Sequence, residues 1–226
     1  MLDQNETLES LMIKDYKIIQ NKNLYRFTSD SVILSRFATA KKGEVVADVC
    51  SGSGIVGLHY YCLNEERVKS VTLFELQKEL ASLSRKSIEI NCLQDKFSVV
   101  EGKLQQTALD YKETYSLVLC NPPYKKRDSG ETNLTPSLAI ARHEVEITQA
   151  EIIEKSAYML KKGGRLCICQ RVERFVELVE DLQKHLQISK IQFVSAKPTS
   201  KPYLVLVEAY KQITRPLVVL ENYING

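Results

Sequence analysis

Short β-branched runs alternate with helical patterns over residues 45–120, and this alternation constrains the fold more than any other feature of the chain. The pattern predicts strands over 45–50, 68–74, 97–100 and 116–120, and helices over 55–63 and 77–91. A chain that alternates strands and helices in this way forms a parallel sheet covered by helices. The predicted class is therefore α/β.

The second half of the chain predicts more helices and three further strands. Thr148 and Glu151 have the spacing of a capping box, and a helix is expected over 148–160, ending before Gly163 and Gly164. The remaining pattern predicts a strand over 165–170, a helix over 172–186, and strands over 188–196 and 203–210. The loop between the last two strands is too short for a helical crossover, so they should be antiparallel. We therefore predict a mostly parallel seven-stranded sheet with an antiparallel hairpin at the C-terminal end.

Composition excludes several classes of protein. The 226 residues suffice for one domain with a substantial core. The six cysteines lack a CxxC pair and a regular spacing, which is typical of reduced thiols in a cytoplasmic protein, and three histidines without nearby ligands argue against a metal site. No apolar run approaches the roughly 20 residues that span a membrane, and the first ten residues lack the pattern of a signal peptide. The net charge of +3 permits a polyanionic partner without demanding one.

The tetrapeptide Asn121-Pro122-Pro123-Tyr124 directly follows a predicted strand. Two prolines cannot continue the hydrogen bonding of a strand, so they fix a rigid corner at its end. The side-chain carbonyl of Asn121 and the backbone carbonyl of Pro122 could accept both hydrogens of an exocyclic amine on an aromatic ring, which frees the nitrogen lone pair. Tyr124 could stack on that ring. An ordinary turn from strand to loop is the alternative interpretation of the tetrapeptide alone.

A glycine-rich loop follows the first strand of the alternating segment, at residues 48–54 (DVCSGSG). Gly52 and Gly54 let a ligand approach the backbone, and the helix that begins there offers unpaired amide donors. Glu75 ends the next strand, about 20 residues further on, where a carboxylate can accept hydrogen bonds from both ribose hydroxyls. These features describe a nucleoside site. Because Gly57 completes a formal dinucleotide fingerprint, a dehydrogenase remains an alternative at this point.

The order Asp48-x-Cys50-x-Gly52-x-Gly54, Glu75 and Asn121-Pro-Pro-Tyr124 resembles class I S-adenosylmethionine-dependent methyltransferases that act on planar amines. A dehydrogenase has no reason to carry the NPPY corner. Residues 13–37 and the run ARHE at 141–144 are similar to the bacterial family that methylates N6 of the adenosine following the anticodon in a valine tRNA. The resemblance implies a Rossmann-like methyltransferase domain over 41–226. It further implies that 1–40 form a hairpin and helix extension contributing to the cofactor pocket.

The same resemblance implies S-adenosylmethionine as the cofactor. The cofactor-binding residues that it implies are Thr28, Asp30, Asp48, Cys50, Gly52, Gly54, Glu75, Leu76, Glu101 and Asn121. Asp30 could also cap the helix that follows it. Two positions depart from the family pattern: Cys50 stands where many relatives have the first glycine, and Lys103 stands where an Asp often contacts the cofactor adenine. Glu101 is a weak substitute for that Asp.

On the substrate side, the resemblance implies tRNA at its anticodon region. Asn121, Pro122, Pro123 and Tyr124 would carry the reaction, and the substrate-binding residues would be Tyr124, Lys125, Lys126, Arg127, Arg142 and His143. Three cations beside a base-binding corner would engage phosphates that flank the target nucleotide, although a basic run is often only a solvated face. His143 is expected to shape the pocket or bind RNA, because no base is required in the substrate pocket.

The predicted function is methylation of N6 of an adenosine in tRNA by in-line transfer from the sulfonium. N5-glutamine methyltransferases of peptide release factors present the same corner to a planar amide, but they carry a larger helical domain before the glycine loop. Adenine methyltransferases of DNA usually need an added recognition domain, for which the segment before Thr148 is too short. A non-catalytic RNA-binding protein with this fold is an alternative of another class. The sequence leaves the oligomeric state open.

Overall fold

The computed structural model describes residues 2–24, 26–124 and 146–225. Its strands are β1 (Glu6–Ser10), β2 (Lys17–Asn21), β3 (Glu44–Val49), β4 (Val68–Glu75), β5 (Phe97–Glu101), β6 (Tyr115–Cys120), β7 (Leu160–Arg171), β8 (Gln187–Ser195), β9 (Leu204–Tyr210), β10 (Val218–Val219) and β11 (Tyr223–Ile224). Its helices are α1 (Ser29–Phe37), α2 (Ile55–Leu63), α3 (Lys78–Ile90), α4 (Leu104–Thr107), α5 (Gln149–Met159) and α6 (Phe175–Gln183), with 3₁₀ turns at Ala108–Tyr111 and Val172–Arg174.

One large sheet organises the molecule. Its strand order is β10-β8-β9-β7-β6-β3-β4-β5, and β11 also pairs with β8. The strands from β7 to β5 are parallel to their neighbours, whereas β9 is antiparallel to both β7 and β8. The predicted α/β class, the mostly parallel sheet and the antiparallel hairpin are therefore confirmed. The seven predicted strands are all present, and the two-residue strands β10 and β11, which the pattern did not predict, extend the sheet beside β8.

The order of the strands reverses at β3. From β3 the chain builds the sheet outward through β4 and β5, and then crosses back to place β6 on the other side of β3. Ligands of open parallel sheets bind at such a reversal, outside the carboxyl ends of the strands. Val49 at the end of β3 pairs with Cys120 at the end of β6. The glycine-rich loop and the NPPY corner therefore leave the sheet side by side.

Apolar side chains bury both faces of the sheet. Along β6, Leu117 and Leu119 belong to the cluster on one face, which includes Leu58 of α2. Val118 belongs to the cluster on the opposite face, which includes Ile152 of α5. Successive residues of a strand point to opposite faces, so a strand covered on both sides is apolar throughout. This explains why the central strands were recognisable as continuous β-branched runs.

The amino-terminal residues form an antiparallel hairpin, β1 with β2, followed by α1. The hairpin is attached to α3, where the Ile19 amide donates to Ser87 Oγ at 2.9 Å and Lys86 pairs with Glu6 at 2.7 Å. Helix α1 packs against α2, and Ser35 hydrogen-bonds His59 between them. The division of the chain at residue 40 stays a prediction.

Two predicted helices have different ends in the structure. The capping box of α5 is present, since Thr148 Oγ1 accepts from the Glu151 amide and Glu151 accepts from the Thr148 amide. The helix nevertheless ends at Met159, and β7 begins at Leu160 because the backbone of Gly163 and Gly164 pairs with Lys211. The predicted helix over 172–186 is a 3₁₀ turn followed by the shorter helix α6.

Candidate active site

A cavity of about 570 Å³ opens beyond the carboxyl ends of β3, β4, β6 and β7. Its size is typical of small-molecule sites. The cavity is lined by seven of the predicted cofactor residues, Thr28, Asp30, Cys50, Gly52, Glu75, Leu76 and Asn121, and by the predicted reaction residues Pro122, Pro123 and Tyr124. The structure therefore brings the glycine-rich loop, the strand-end acid and the NPPY corner to one place.

Three predicted cofactor residues do not line this cavity. The Asp48 carboxylate accepts from the Gly57 amide at 2.8 Å, at the beginning of α2. Gly54 packs against the sheet so closely that a Cβ there would lie 2.8 Å from Leu73 Cδ1. Both residues thus hold the glycine-rich loop from its buried side, away from the cavity. The Glu101 carboxylate points to Arg85, with which it pairs at 3.1 Å.

The basic run and the histidine predicted on the substrate side lie outside the described residues. These positions are Lys125, Lys126, Arg127, Arg142 and His143. Their roles stay predictions.

Glu75 connects the glycine-rich loop with the segment that follows β4. One carboxylate oxygen accepts from the Gly52 amide at 2.7 Å and the other from the Gln77 amide at 2.9 Å. Burial raises the pKa of Glu75, and these backbone donors oppose the rise. The Leu76 amide is a third backbone donor to this carboxylate. A carboxylate has about four acceptor positions, so capacity remains for a further donor, and a ribose hydroxyl is such a donor.

Asp48 lies completely within the protein beneath the glycine-rich loop. Burial raises the pKa of Asp48 to about 8, the Glu75 charge acts in the same direction, and the Gly57 amide opposes both. Because ionisation of this carboxyl is unfavourable in the folded protein, the folded state binds a proton that the unfolded chain releases above its ordinary pKa of 3.8. The contribution of Asp48 to the stability therefore falls as the pH rises from about 4 to about 8.

Asp48→Asn is expected to flatten this pH dependence, because Asn keeps an oxygen for the Gly57 amide and does not titrate. The variant should gain stability relative to the wild type between pH 5 and pH 8, as read from the free energy of unfolding in urea at the two pH values. Asp110→Asn makes the same substitution at an exposed site and serves as the control. Parallel pH profiles for the wild type and Asp48→Asn would show that Asp48 does not titrate in this range.

The side-chain amide of Asn121 is held in one orientation by three neighbours. Its Nδ2 donates to Ser31 Oγ at 2.9 Å. Its Oδ1 accepts from the Tyr124 hydroxyl and from Cys169 Sγ, the latter at 3.1 Å. Both lone pairs of this carbonyl oxygen therefore have donors, and a ligand amine could bind the oxygen only in exchange for one of them.

The Tyr124 hydroxyl belongs to a longer row of polar contacts. It lies 3.4 Å from one oxygen of the buried Asp30, whose other oxygen lies 3.5 Å from the Tyr203 hydroxyl. Asn225 then donates to Tyr203 at 2.9 Å. Contacts of 3.4–3.5 Å are weak hydrogen bonds. They nevertheless connect Asn121 in the cavity with a residue of the C-terminal segment.

A sequence model of a known protein family matches most of this chain. The model described as "Methyltransferase small domain" matches residues 28–197, which include all the residues that line the cavity except Leu24 and Arg26. The chain belongs to the methyltransferase small domain family. The predicted Rossmann-like methyltransferase fold is thereby confirmed.

Curated relatives of this methyltransferase carry one recurrent name. The tRNA1(Val) (adenine(37)-N6)-methyltransferase of Tolumonas auensis is 24% identical over 170 residues, 75% of this chain and 69% of the relative. The protein of the same name from Flavobacterium psychrophilum is 20% identical and covers 92% of this chain and 90% of its own length. These matches confirm the resemblance to that bacterial family. Among solved structures, a predicted O-methyltransferase of Agrobacterium tumefaciens has a TM-score of 0.68 at 19% identity, with 86% of each chain covered.

The part of the methyltransferase that the structure describes has no membrane-spanning helix and no metal-binding cluster. No described helix has the length and the apolar character to cross a membrane. No three His, Cys, Asp or Glu side chains in residues 2–24, 26–124 and 146–225 are grouped as a metal ion would require.

Several lining residues of the methyltransferase cavity were not predicted. Lys103 lines the cavity and pairs with Glu146 at 3.0 Å, so the position that departs from the family pattern is occupied by an ion pair. Arg171 lines the opposite side, with its guanidinium 5.0 Å from the Tyr124 ring centroid and 5.5 Å from that of Tyr203. Arg171 directly follows a predicted strand, as Asn121 does, and this signal could have identified it.

Proposed function

We propose that this methyltransferase transfers a methyl group from S-adenosylmethionine to N6 of an adenosine in tRNA, the adenosine that follows the anticodon of a valine tRNA. One observation carries the proposal: Glu75 and the Asn121-Pro122-Pro123-Tyr124 corner line the same cavity, at the reversal point of the sheet. The names of the curated relatives support the choice of tRNA and of adenine N6. Because tRNA is a cytoplasmic substrate, the proposed enzyme acts in the cytoplasm.

The nucleoside half of the cavity suits S-adenosylmethionine. The buried Glu75 carboxylate accepts from the Gly52, Gln77 and Leu76 amides and keeps acceptor capacity for a ribose hydroxyl. Beside it, Gly52 has a φ of +58° and no atom within 4 Å of where a Cβ would be, so a ligand can approach this part of the backbone closely. Leu76 and Leu104 add apolar surface to the same cavity. Bound here, the cofactor supplies an electrophilic methyl group on its sulfonium.

The acceptor half suits an aromatic amine. The Asn121 Oδ1 and the Pro122 carbonyl would accept the two hydrogens of the adenine amine, and the Tyr124 ring would stack on the base. Binding of the amine at Asn121 requires the Tyr124 hydroxyl to leave the same oxygen. The protein thus holds the nitrogen lone pair in line with the methyl group, and positioning of this kind supplies a large part of the rate.

An anticodon loop is a favourable acceptor because its bases are not held in a duplex. A base in a single-stranded loop can be turned out at low energetic cost compared with a base in a duplex. The proposed enzyme therefore needs no additional element that opens an RNA duplex.

Methyl transfer from labelled S-adenosylmethionine to unmodified valine tRNA tests the proposal. The RNA is digested to nucleosides and analysed by mass spectrometry, with Asn121→Ala as the control variant. N6-methyladenosine is expected with the wild-type protein and not with the variant. A methylated release factor in place of methylated RNA would overturn the proposed acceptor, and failure to bind S-adenosylmethionine would overturn the enzymatic function.

A further inference from the structure

Arg171 ends β7, next to the strand whose end carries Asn121. Its guanidinium lies over two tyrosine rings, at 5.0 Å from the Tyr124 centroid and 5.5 Å from the Tyr203 centroid. Contacts between a planar guanidinium and aromatic faces hold the group in place without consuming its N–H donors. Arg171 is therefore a positioned cation at the wall of the cavity.

Other arginines of this strand and the following turn have acidic partners. Arg165 is buried and pairs with Glu44 and with Glu208. Arg174 pairs with Glu177 at 2.7 Å. In contrast, no carboxylate of the described residues forms an ion pair with Arg171, although its side chain is partly buried. A half-buried guanidinium with five donors and no carboxylate partner among the described residues is suited to bind an oxyanion bidentately.

The position of Arg171 in the sheet indicates which oxyanion it binds. Gly52 and Glu75, which form the nucleoside half, follow β3 and end β4. Arg171 lies on the other side of the reversal point, one strand beyond Asn121. A group that binds there approaches from the acceptor side. In an RNA substrate the oxyanions on that side are backbone phosphates.

We propose that the Arg171 guanidinium binds a backbone phosphate of the RNA adjacent to the target adenosine. This inference rests on the proposed function, since it assigns part of the substrate site. Arg171 acts here as a substrate-binding residue that fixes the register of the RNA, so that the base reaches Asn121. The carboxylate of the cofactor is an oxyanion of related chemistry, and the experiment separates the two sources.

Arg171→Gln tests the contact by removing the charge while keeping a side chain of related shape. The affinity for a fluorescent anticodon stem-loop of valine tRNA, measured by anisotropy without cofactor, should fall by about tenfold or more, as is typical for a hydrogen bond to a charged group. The salt dependence of binding should weaken by about one phosphate contact. Arg215→Gln is the matched control, because Arg215 lies over the Tyr210 ring at 4.4 Å, at the opposite end of β9 from the cavity.

Stem-loops with one neutral methylphosphonate, placed 5′ or 3′ of the target adenosine, identify the contacted phosphate. One of the two should weaken binding by the wild type and by Arg215→Gln, but not further weaken binding by Arg171→Gln. Equal losses in all three proteins at both positions would overturn the phosphate contact. An unchanged RNA affinity of Arg171→Gln, with a raised dissociation constant for S-adenosylhomocysteine, would overturn it in favour of the cofactor carboxylate.

Failure of the inference and failure of the proposed function give different results. Formation of N6-methyladenosine by the wild type tests the proposed function and does not depend on Arg171. RNA affinity is measured without turnover, so it tests Arg171 whether or not product forms. Thermal unfolding of Arg171→Gln within a few degrees of the wild type shows that a lost affinity reflects the lost contact.

Discussion

Asn121→Ala is expected to reduce methyl transfer by at least about 10²–10³-fold, the usual loss when a positioned polar group of the transition state is removed. The side-chain oxygen of Asn121 would accept one of the two amine hydrogens, and without it the amine lone pair stays delocalised in the ring. Binding of S-adenosylhomocysteine should change by less than about threefold, because the ribose is expected to bind Glu75 on the other side of the reversal point. Single-turnover kinetics and calorimetry measure the two quantities.

Asn121→Asp separates the acceptor role of this residue from a structural role. The Asp side chain keeps an oxygen for the amine but loses the Nδ2 donor to Ser31. It should therefore retain much more activity than Asn121→Ala. Equal activity of the two variants would contradict the assignment of Asn121 as the amine acceptor. Loss of cofactor binding in Asn121→Ala would show that Asn121 acts mainly on the cofactor and not on the acceptor amine.

Glu75→Gln should raise the dissociation constant for S-adenosylhomocysteine by about 10–100-fold, which corresponds to the loss of a hydrogen bond to a charged group. The amide nitrogen of Gln would face a donor, either the Gly52 or Gln77 amide or a ribose hydroxyl. At saturating S-adenosylmethionine the rate of methyl transfer should recover to within a few-fold of the wild type. Isothermal titration calorimetry and steady-state kinetics provide the measurements.

Glu101→Gln is the matched control for Glu75→Gln. Glu101 is the register partner of Glu75 at the end of the neighbouring strand, and its carboxylate pairs with Arg85 outside the cavity lining. The control should leave the dissociation constant within about twofold, because an exposed ion pair contributes little. Similar losses in both variants would indicate a general effect of charge and would contradict the ribose contact.

The sequence was sufficient for the fold because its signals are local. Strands buried on both faces are continuous apolar runs, as along β6, and the capping box at Thr148 marks the beginning of α5. Gly163 and Gly164 resemble a helix terminator and were interpreted as one. Their backbone instead pairs with Lys211, which is distant in sequence. The short strands β10 and β11 depend likewise on pairing with β8 and leave no local pattern.

The site was predicted where a motif carries the chemistry. The residues of the glycine-rich loop, Glu75 and the NPPY corner were identified because their spacing has a physical reason. Arg171 belongs to no such motif, and the sheet order brings it to the cavity, where its guanidinium lies over the rings of Tyr124 and Tyr203. Glu101 shows the opposite case: the family resemblance implied a cofactor contact, whereas its side chain is directed to Arg85.

The hydrogen bond from the Tyr124 hydroxyl to Asn121 bears on how the proposed enzyme distinguishes one purine from another. An incoming amine replaces one donor with another at the same oxygen, so the exchange adds little net affinity. A purine with a carbonyl in place of the amine would displace the hydroxyl and leave two oxygens facing each other. An unmatched buried acceptor costs about 1–3 kcal/mol. The contact therefore contributes discrimination between purines rather than affinity for the base.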